Sequence, residues 1–161
     1  MTELEQHFLT NPDKLRALVA AAQIKPGDRV LELGSGSGTV AAALPPCTLT
    51  LTELDDRLAR SLRLRFPSAS VVAGNALAVL EDVEADIILS NLPHTLTHAV
   101  LSGLSGKTFE LALVAVYERD ELDVLSAVFG KLRLEPRFTL RGRDFTPPQP
   151  FPSKLLRVTR R

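Results

Sequence analysis

The chain has 161 residues, of which 45% are hydrophobic and 24% are charged, and its formal net charge is zero. This length and composition are typical of a single-domain globular protein and exclude the disordered and fibrous classes. The chain contains one cysteine, Cys47, which excludes an intramolecular disulfide and a thiolate metal cluster built from this chain alone. We expect one domain over residues 1–161.

The N-terminal segment carries no recognisable targeting signal. Met1 to Asn11 mixes acidic and apolar residues, without the charged-then-apolar order of a secretory peptide. No apolar run approaches the roughly 20 residues that a membrane span needs. We therefore expect a cytoplasmic protein without membrane attachment.

Charge is distributed unevenly along the chain. Residues 131–161 hold nine Lys and Arg against two Asp and Glu, whereas the preceding residues are acidic overall. This asymmetry is typical of proteins with a polyanionic partner. The alternative is a solvated basic face on the C-terminal strands.

The first predicted elements form a strand, turn and helix unit. A capped helix follows Asn11 and extends to about Ala22, because apolar residues recur there at helical spacing. A buried strand, Arg29 to Leu33, then leads into the glycine-rich segment Gly34–Gly38, and Thr39 to Leu44 is compatible with a helix. This order is typical of the first unit of a nucleotide-binding α/β fold.

The same alternation of strands and helices continues along the chain. Further strands are predicted at Thr48–Glu53, Ala69–Ala73, Ala85–Ser90 and Phe109–Tyr117, and further helices at Arg57–Phe66, Thr95–Leu104 and Glu118–Phe129. Largely apolar strands that alternate with helices indicate a parallel sheet covered on both faces.

The C-terminal region departs from this rhythm. Leu132–Arg143 and Lys154–Arg160 are strand-like and are joined by the proline-rich segment Pro147–Pro152 without a helix between them. This predicts an antiparallel hairpin. The fold class that we predict is therefore a Rossmann-like α/β sheet of seven strands, mostly parallel, with an antiparallel C-terminal hairpin.

The glycine-rich segment indicates a ligand site. Gly34, Gly36 and Gly38 follow a strand and open a helix, where the absence of a Cβ lets the backbone approach a ligand closely. Their spacing is G-x-G-x-G rather than the dinucleotide pattern G-x-G-x-x-G, and Glu32 precedes them. A tight strand-to-helix turn without a ligand is the alternative.

Glu53 favours a cofactor that contains adenosine. It ends the second strand of the predicted sheet, where a carboxylate can accept both hydroxyls of a ribose. Nicotinamide and S-adenosylmethionine sites both use such an acid, so Glu53 does not choose between them. The alternative is an exposed acid that caps the next helix, a role that Asp55 fits better.

The segment Asn91–His94 favours transfer to an amine. It ends the fourth strand, where an open parallel sheet presents catalytic loops. An exocyclic adenine amine is a poor nucleophile because its lone pair is delocalised, and the Asn91 oxygen with a backbone carbonyl can accept its hydrogens. Pro93 stiffens the turn, and a planar group at His94 can stack on an extruded base. A strand-terminating turn is the alternative.

Together these motifs resemble the ribosomal RNA adenine dimethyltransferase family, which is related to the erythromycin-resistance methyltransferases. The resemblance spans nearly the whole chain and rests on an ordered series: Gln6–Leu9, Val30–Gly38, Thr52–Asp55, Gly74–Leu77, Asn91–His94 and the proline-rich segment before Ser153. It implies that S-adenosylmethionine is the cofactor.

The resemblance also implies roles for individual residues. The cofactor would contact Gln6, Phe8, Leu9, Glu32, Gly34, Ser35, Gly36, Gly38, Glu53, Leu54, Asn75, Ala76 and Asn91. In these roles the N-terminal residues close over the methyl donor, the glycines hold its amino-acid portion, Glu53 holds its ribose, and Asn75 faces its adenine. The catalytic residues would be Asn91, Leu92, Pro93 and His94, with Asn91 and Pro93 holding the target amine.

The sequence departs from the family pattern at three points. His94 stands where the family usually has Tyr or Phe, and Asn75 stands where it usually has Asp. Family members normally continue into a helical C-terminal lobe that grips RNA, whereas this sequence ends at Arg161. We therefore expect a form without that lobe.

The predicted function is S-adenosylmethionine-dependent methylation of the N6 amine of adenine in RNA, with ribosomal RNA as the partner. Two alternatives stay open: an enzyme of the same fold that acts on a small-molecule, lipid or protein amine, and a non-catalytic nucleic-acid-binding module. No metal site is predicted.

Phe145 and Phe151 flank the proline-rich segment, where they either stack on a base or pack against the sheet. The oligomeric state is left open.

Overall fold

The computed structural model describes residues 6–161, so the first part of the Met1–Asn11 segment lies outside the described residues. The strands are β1 (Phe8–Leu9), β2 (Arg29–Leu33), β3 (Thr48–Glu53), β4 (Ser70–Ala73), β5 (Ile87–Ser90), β6 (Leu111–Tyr117), β7 (Leu132–Leu140), β8 (Phe145–Thr146) and β9 (Ser153–Arg160). The helices are α1 (Pro12–Ala22), α2 (Thr39–Ala43), α3 (Asp56–Arg65), α4 (Ala76–Asp82), α5 (Thr97–Ser105) and α6 (Leu122–Val128), with 3-10 turns at His94–Leu96 and Gly142–Asp144. Within residues 6–161 no helix has the length and apolar character needed to cross a bilayer.

Seven strands form one sheet in the order β4-β3-β2-β5-β6-β9-β7. The first five of these are parallel to one another, and β9 pairs antiparallel with both β6 and β7. The predicted fold class is therefore confirmed, including the antiparallel C-terminal pair. The last strand lies between β6 and β7 rather than at the edge of the sheet.

Both faces of the sheet are buried. Along β2, Leu31 and Leu33 belong to a core cluster with residues of α4 and α5, whereas Val30 belongs to a second cluster with residues of α1. Successive side chains of a strand point to opposite faces, so the two clusters occupy the two sides of one sheet. Such two-sided burial is the reason that the central strands β5 and β6 are almost continuously apolar.

Side-chain caps begin three of the helices. The Asn11 carboxamide oxygen accepts the Asp13 amide of α1 at 2.9 Å, and Asp55 accepts the Arg57 amide of α3 at 2.8 Å. Each cap satisfies a backbone donor that the first turn of a helix leaves without a partner. Asp55, rather than Glu53, is therefore the acid that caps α3.

Helix α4 was not predicted from the sequence. Its N-cap is Asn75, whose side-chain oxygen accepts the Leu77 amide at 2.9 Å. The helix is short, and it packs Val79 and Leu80 into the core. The signal was an Asn cap followed by apolar residues at helical spacing.

Two predicted helices begin later than expected. The segment after β5 starts as a 3-10 turn at His94–Leu96, and regular helix begins at Thr97. Helix α6 begins at Leu122 rather than Glu118, because Asp120 closes a turn on Tyr117 through its backbone amide and its carboxylate. A local turn therefore precedes each helix, and helical periodicity alone does not locate its first residue.

The residues just before the proline-rich segment form a strand that the sequence did not predict. Strand β8 pairs antiparallel with β1, with Phe8 opposite Thr146 and Leu9 opposite Phe145. The Asn11 side chain also donates to the Asp144 carboxylate at 2.7 Å. These contacts hold the N-terminal segment against the C-terminal part of the chain.

The two phenylalanines that flank this segment have different environments. Phe145 is 2% exposed and packs in the core cluster with Leu9, Leu140 and Leu155. Phe151 is 52% exposed. The sequence left two alternatives for Phe145, stacking on a base and packing against the sheet. The structure shows that Phe145 packs against the sheet.

Because Phe145 fills the core and Phe151 does not, alanine substitutions should separate them. We expect Phe145→Ala to lower the free energy of unfolding by about 3–5 kcal/mol. Phe151→Ala should change it by about 0.5 kcal/mol or less. Urea denaturation of both variants measures this difference, and equal losses would contradict the assignment.

Candidate active site

Two turns meet at one edge of the sheet. The glycine turn, Gly34–Gly38, follows β2, and the Asn91–His94 turn follows β5. Strands β2 and β5 are parallel neighbours, and Leu33 at the end of one is in register with Ser90 at the end of the other. The two turns therefore leave the sheet side by side at its carboxyl edge, where open α/β sheets bind ligands.

A cavity of about 840 Å³ opens at this edge. The predicted residues that contribute to its wall are Gln6, Phe8, Leu9, Glu32, Gly34, Ser35, Gly36, Glu53, Leu54, Asn75, Ala76, Asn91, Leu92, Pro93 and His94. A cavity of this size is within the range of cofactor and small-molecule sites. The space between the two turns is therefore open rather than filled by packed side chains.

Gly38 lies outside the wall of the cavity. It is the N-cap of α2, and a Cβ there would lie 2.7 Å from Cε2 of Phe66. Its lack of a side chain lets α2 start against Phe66 and Leu62 of the neighbouring helical layer. The structure thus gives Gly38 a packing role, and its predicted contact with a cofactor stays a prediction.

The glycine turn is held in place by the end of β3. The Gly34 amide donates to the Thr52 hydroxyl at 2.9 Å, and the Ser35 amide donates to the Thr52 carbonyl at 2.7 Å. The Gly36 amide donates to the Glu53 carboxylate at 2.7 Å. These bonds orient the turn before any ligand binds.

Close contacts explain why glycine is needed at two positions of this turn. Gly34 has a φ of 71° and Gly36 a φ of 57°. A Cβ at Gly34 would lie 2.6 Å from Cδ2 of Leu92, and one at Gly36 would lie 2.5 Å from the Phe8 ring. Leu92 and Phe8 therefore rest directly on the backbone of the glycine turn.

Glu53 is buried with both carboxylate oxygens engaged. One accepts the Gly36 amide and the other accepts the Asp55 amide at 3.1 Å. A carboxylate has about four acceptor positions, so each oxygen can still accept a ligand hydroxyl. The predicted ribose contact is therefore compatible with these bonds.

Glu32 is a buried acid at the base of the cavity. Burial raises its pKa to about 8, and the nearby Glu53 carboxylate adds to the rise while a hydrogen bond from Ser35 opposes it. Its Oε2 atom has no hydrogen-bond partner within the described part of the chain. With this pKa the carboxyl is mostly protonated at neutral pH in the free chain, and a cationic ligand group beside it would favour the ionised form.

Asn75 has a structural role in addition to its predicted contact with the adenine of the cofactor. Its side-chain oxygen caps α4 and it also contributes to the cavity wall. An amide oxygen has two lone pairs, so the second can still accept a donor from a ligand. Helix α4 thereby fixes the direction in which Asn75 faces the cavity.

His94 is held by the C-terminal strand. Its Nε2 atom lies 3.3 Å from the Ser153 hydroxyl, which accepts a hydrogen bond from Gln149 at 2.6 Å. Burial lowers the pKa of His94, and the Asp120 carboxylate partly offsets this. The imidazole is therefore uncharged at neutral pH.

The cavity wall also contains residues that were not predicted as site residues, among them His7, Thr52, Tyr117, Gln149 and Pro150. It contains Phe151 as well, for which the sequence left base stacking as one of two alternatives. Thr52 and Tyr117 stand at the carboxyl ends of β3 and β6, so strand position was an available signal. Gln149 and Phe151 reach the cavity only because the proline-rich segment folds back, and no local sequence signal predicts this.

Within residues 6–161 no three His, Cys, Asp or Glu side chains cluster as a metal site.

The architecture is that of methyltransferases of known structure. The 23S rRNA methyltransferase ErmE superposes with a TM-score of 0.82 at 23% identity, over 96% of this chain and 70% of that one. A dimethyladenosine transferase from Plasmodium falciparum superposes with a TM-score of 0.87 at 20% identity, over 96% of this chain and 64% of that one. At these identities the likeness establishes the fold.

A family model identifies the family. The model described as ribosomal RNA adenine dimethylase matches residues 1–109. The chain belongs to the ribosomal RNA adenine dimethylase family, and the resemblance seen in the sequence motifs is confirmed.

Relatives of this family cover different shares of the chain. The ribosomal RNA small subunit methyltransferase A of Parasynechococcus marenigrum is 35% identical over 141 residues, which cover 81% of this chain and 46% of that relative. The protein of the same name from Neorickettsia sennetsu is 28% identical over 180 residues, which cover 97% of this chain and 69% of that relative. The match thus spans less than half the length of the Parasynechococcus protein.

The raised pKa of Glu32 predicts a pH-dependent stability. In the unfolded chain this pKa returns to about 4.5, so unfolding releases a proton at intermediate pH. The contribution of Glu32 to the free energy of unfolding should be largest below about pH 4.5. Between about pH 4.5 and pH 8 it should fall by up to about 1.4 kcal/mol per pH unit. Urea denaturation across this range measures the slope.

Two variants isolate Glu32 from the other acids. Glu32→Gln should reduce this slope, whereas Glu81→Gln, at an exposed position of α4, should leave it unchanged. The same pH slope in wild type and Glu32→Gln would show that Glu32 is not the titrating group.

The contact between Gly36 and Phe8 predicts a second stability difference. Gly36→Ala should lower the free energy of unfolding by the left-handed strain of about 1–2 kcal/mol and by a further 1–3 kcal/mol, roughly, for the clash with Phe8. Gly27→Ala is the matched control, since Gly27 also has a positive φ but open space around it. Thermal denaturation of the two variants should show the larger loss for Gly36→Ala, and equal losses would refute the contact.

Proposed function

We propose that this chain transfers a methyl group from S-adenosylmethionine to the N6 amine of an adenine in ribosomal RNA. The observation that carries the proposal is the open cavity between the glycine turn and the Asn91–His94 turn. Family membership and the names of the relatives support this choice of reaction. We also propose that the chain acts as one domain, because both core clusters pack on the same sheet.

The residues of the glycine turn fit the proposed cofactor. Gly34, Ser35 and Gly36 line the cavity together with Glu32, whose Oε2 has no partner within the described residues. Bound there, S-adenosylmethionine supplies a methyl group on a positively charged sulfur, which is an activated leaving group. Glu32 and Glu53 make this side of the cavity suitable for a cation.

Other residues of the same half of the cavity would hold the adenosine portion. The acceptor positions of Glu53 that the Gly36 and Asp55 amides leave free would accept the ribose hydroxyls, and the second lone pair of the Asn75 oxygen would accept an adenine amine. Phe8 and Gln6 close the site from the N-terminal segment, which β8 holds in place.

The Asn91–His94 turn would activate the target amine. The Asn91 side-chain oxygen and a backbone carbonyl of the turn accept the two amine hydrogens, which favours a tetrahedral nitrogen with an available lone pair. Pro93, with a φ of −50°, stiffens the turn, and its carbonyl accepts the Leu96 amide at 2.9 Å. The catalytic contribution is therefore position and hydrogen-bond acceptance.

His94 would orient the base rather than serve as a strong base. Burial lowers its pKa, so the ring is neutral at physiological pH. A charged imidazolium would repel a cationic donor nearby, whereas the neutral ring does not. The hydrogen bond with Ser153 keeps the ring in place.

The charge distribution supports an RNA partner. Of the C-terminal cations, Lys154, Arg157, Arg160 and Arg161 bond to carbonyls or to Glu135 within the chain. The other five cations of this region, Lys131, Arg133, Arg137, Arg141 and Arg143, are exposed. Their charges remain available to RNA phosphates. We also propose that the protein works in the cytoplasm.

Substitution of Asn91 tests the proposed chemistry. Asn91→Ala should reduce the rate of methyl transfer by about 100-fold or more, because it removes an acceptor for the amine hydrogens. Binding of S-adenosylmethionine, measured by isothermal titration, should change by less than about threefold. Glu53→Ala is the contrasting variant and should weaken cofactor binding, and normal turnover by Asn91→Ala would remove Asn91 from the mechanism.

Labelled methyl transfer separates the substrate classes. Incubation with RNA, protein and lipid fractions, followed by nucleoside analysis, should give N6-methylated adenosine in the RNA fraction. Label confined to protein or lipid would overturn the choice of substrate. Failure of wild type to bind S-adenosylmethionine would favour the non-catalytic nucleic-acid-binding module instead.

A further inference from the structure

A series of side-chain hydrogen bonds connects the proline-rich segment to His94. The Gln149 side-chain nitrogen lies 2.6 Å from the Phe151 carbonyl oxygen and 2.6 Å from the Ser153 hydroxyl. The same hydroxyl lies 3.3 Å from Nε2 of His94. We call Gln149, Ser153 and His94 the His94 network.

The backbone fixes the positions of both residues that support His94. Ser153 is the first residue of β9, in register with Tyr117 of β6 and Leu140 of β7, and it is 0% exposed. The Gln149 backbone amide donates to the Gly142 carbonyl at 3.0 Å, and the Gln149 carbonyl leaves no room for a Cβ at Gly142. The side chains of the His94 network therefore start from well-defined places.

The Phe151 carbonyl determines the direction of donation in the His94 network. A carbonyl only accepts, so the nitrogen rather than the oxygen of the Gln149 carboxamide must face it. The second hydrogen of that nitrogen is then donated to the Ser153 hydroxyl. The hydroxyl keeps one hydrogen of its own, and within residues 6–161 its remaining side-chain partner is His94.

This direction of donation selects one form of the imidazole. A hydrogen from Ser153 requires a lone pair on Nε2 of His94, so the neutral ring carries its hydrogen on Nδ1. In the other tautomer, and in the charged ring, Nε2 would donate to Ser153 and leave a fully buried hydroxyl hydrogen without an acceptor. Nδ1 is buried and has no partner among the described residues in any of these forms. The neutral ring with hydrogen on Nδ1 therefore leaves the fewest buried polar groups unpaired.

We propose that Gln149 and Ser153 are positioning residues that hold His94 as an uncharged ring with its hydrogen on Nδ1. Ser153 then occupies the one ring nitrogen that could accept a proton, so His94 does not serve as a base. The consequence for methyl transfer rests on the proposed function: an uncharged ring beside Asn91 does not repel a cationic methyl donor. Tyr and Phe, which the family usually has at this position, cannot become cationic, and the His94 network gives this chain the same property.

The charged groups around the ring act in both directions. Burial lowers the pKa of His94, and the Asp120 carboxylate in the turn after β6 partly offsets this. Lys154 of β9 donates to the Asp120 carbonyl, and the Arg119 guanidinium lies 6.0 Å from the centroid of Tyr117, the ring that packs against His94. These two cations oppose a charge on His94, as the His94 network does.

Nitrogen NMR tests the hydrogen positions without any methyl transfer. Spectra of the 15N-labelled chain distinguish an imidazole nitrogen that carries hydrogen from one that does not. At neutral pH, Nε2 of His94 should be without hydrogen and Nδ1 should carry it. His94→Phe removes these signals and so identifies them among those of the three histidines.

Two variants change the His94 network in different ways. Ser153→Ala removes the donor to Nε2, so it should give a mixture of tautomers and raise the measured pKa of His94 by about 0.5 to 1. Gln149→Glu introduces a carboxylate that can only accept, so Ser153 should donate to it and the His94 hydrogen should move to Nε2. Ser105→Ala is the matched control, because it removes a serine hydrogen bond to the Leu101 carbonyl on α5 and should leave the His94 signals unchanged.

The rate of methyl transfer gives a second readout. Relative to wild type at each pH, Ser153→Ala should lose about three- to fourfold in rate between pH 8 and pH 6, because a histidine of ordinary pKa becomes mostly charged there. Adding His94→Phe to Ser153→Ala should remove this pH-dependent loss. The comparison with wild type cancels the titration of other groups, such as Glu32.

The outcomes for the His94 network and for the proposed function are distinct. Hydrogen on Nε2 in wild type, or unchanged His94 signals in Ser153→Ala and Gln149→Glu, would overturn the network whether or not the chain transfers methyl groups. A rate loss in Ser153→Ala that is equal at every pH and persists with His94→Phe would overturn the positioning role, since Ser153 would then only support the fold. The expected NMR signals in a chain that transfers no methyl group would support the network and contradict the proposed reaction.

Discussion

The parallel pairing of β2 with β5 is the constraint on which the rest of the site depends. It sets Leu33 opposite Ser90, so the glycine turn and the Asn91–His94 turn begin at the same level of the sheet. Burial on both faces fixes this register, because a slip of one residue would move Leu31 and Ile88 to the opposite core cluster. The position of the proposed chemistry thus follows from ordinary core packing.

The same strand order places the residues proposed to bind the cofactor and those proposed to bind the target base on different sides of the cavity. The ends of β2 and β3 bring Glu32 and Glu53 together, where unpaired or partly used carboxyl oxygens can meet a cation. The ends of β5 and β6 bring a neutral His94 next to Tyr117. A positively charged donor and a flat neutral base would therefore each find the side of the cavity that suits it, with Asn91 between them.

Much of this arrangement could be predicted from the sequence, because apolar strands, glycine spacing and caps are local signals. Asn91 and Glu53 were predicted as site residues because each stands at the carboxyl end of a predicted strand. Helix α4 was missed because Asn75 was interpreted only as a ligand residue, although it also caps that helix. Phe151 reaches the cavity through long-range pairing of the C-terminal segment, and no periodic pattern reports such a contact. Gly38 shares its motif with Gly34 and Gly36 yet packs against Phe66, a distinction that only the tertiary structure makes.

The most direct measurement is a crystal structure of this chain with S-adenosylhomocysteine bound. The account predicts that the sulfur lies between the glycine turn and the Asn91 side chain, with the ribose on Glu53 and the side of the cavity next to His94 left free. A ligand bound outside this cavity would contradict it. So would a ligand whose sulfur points away from Asn91.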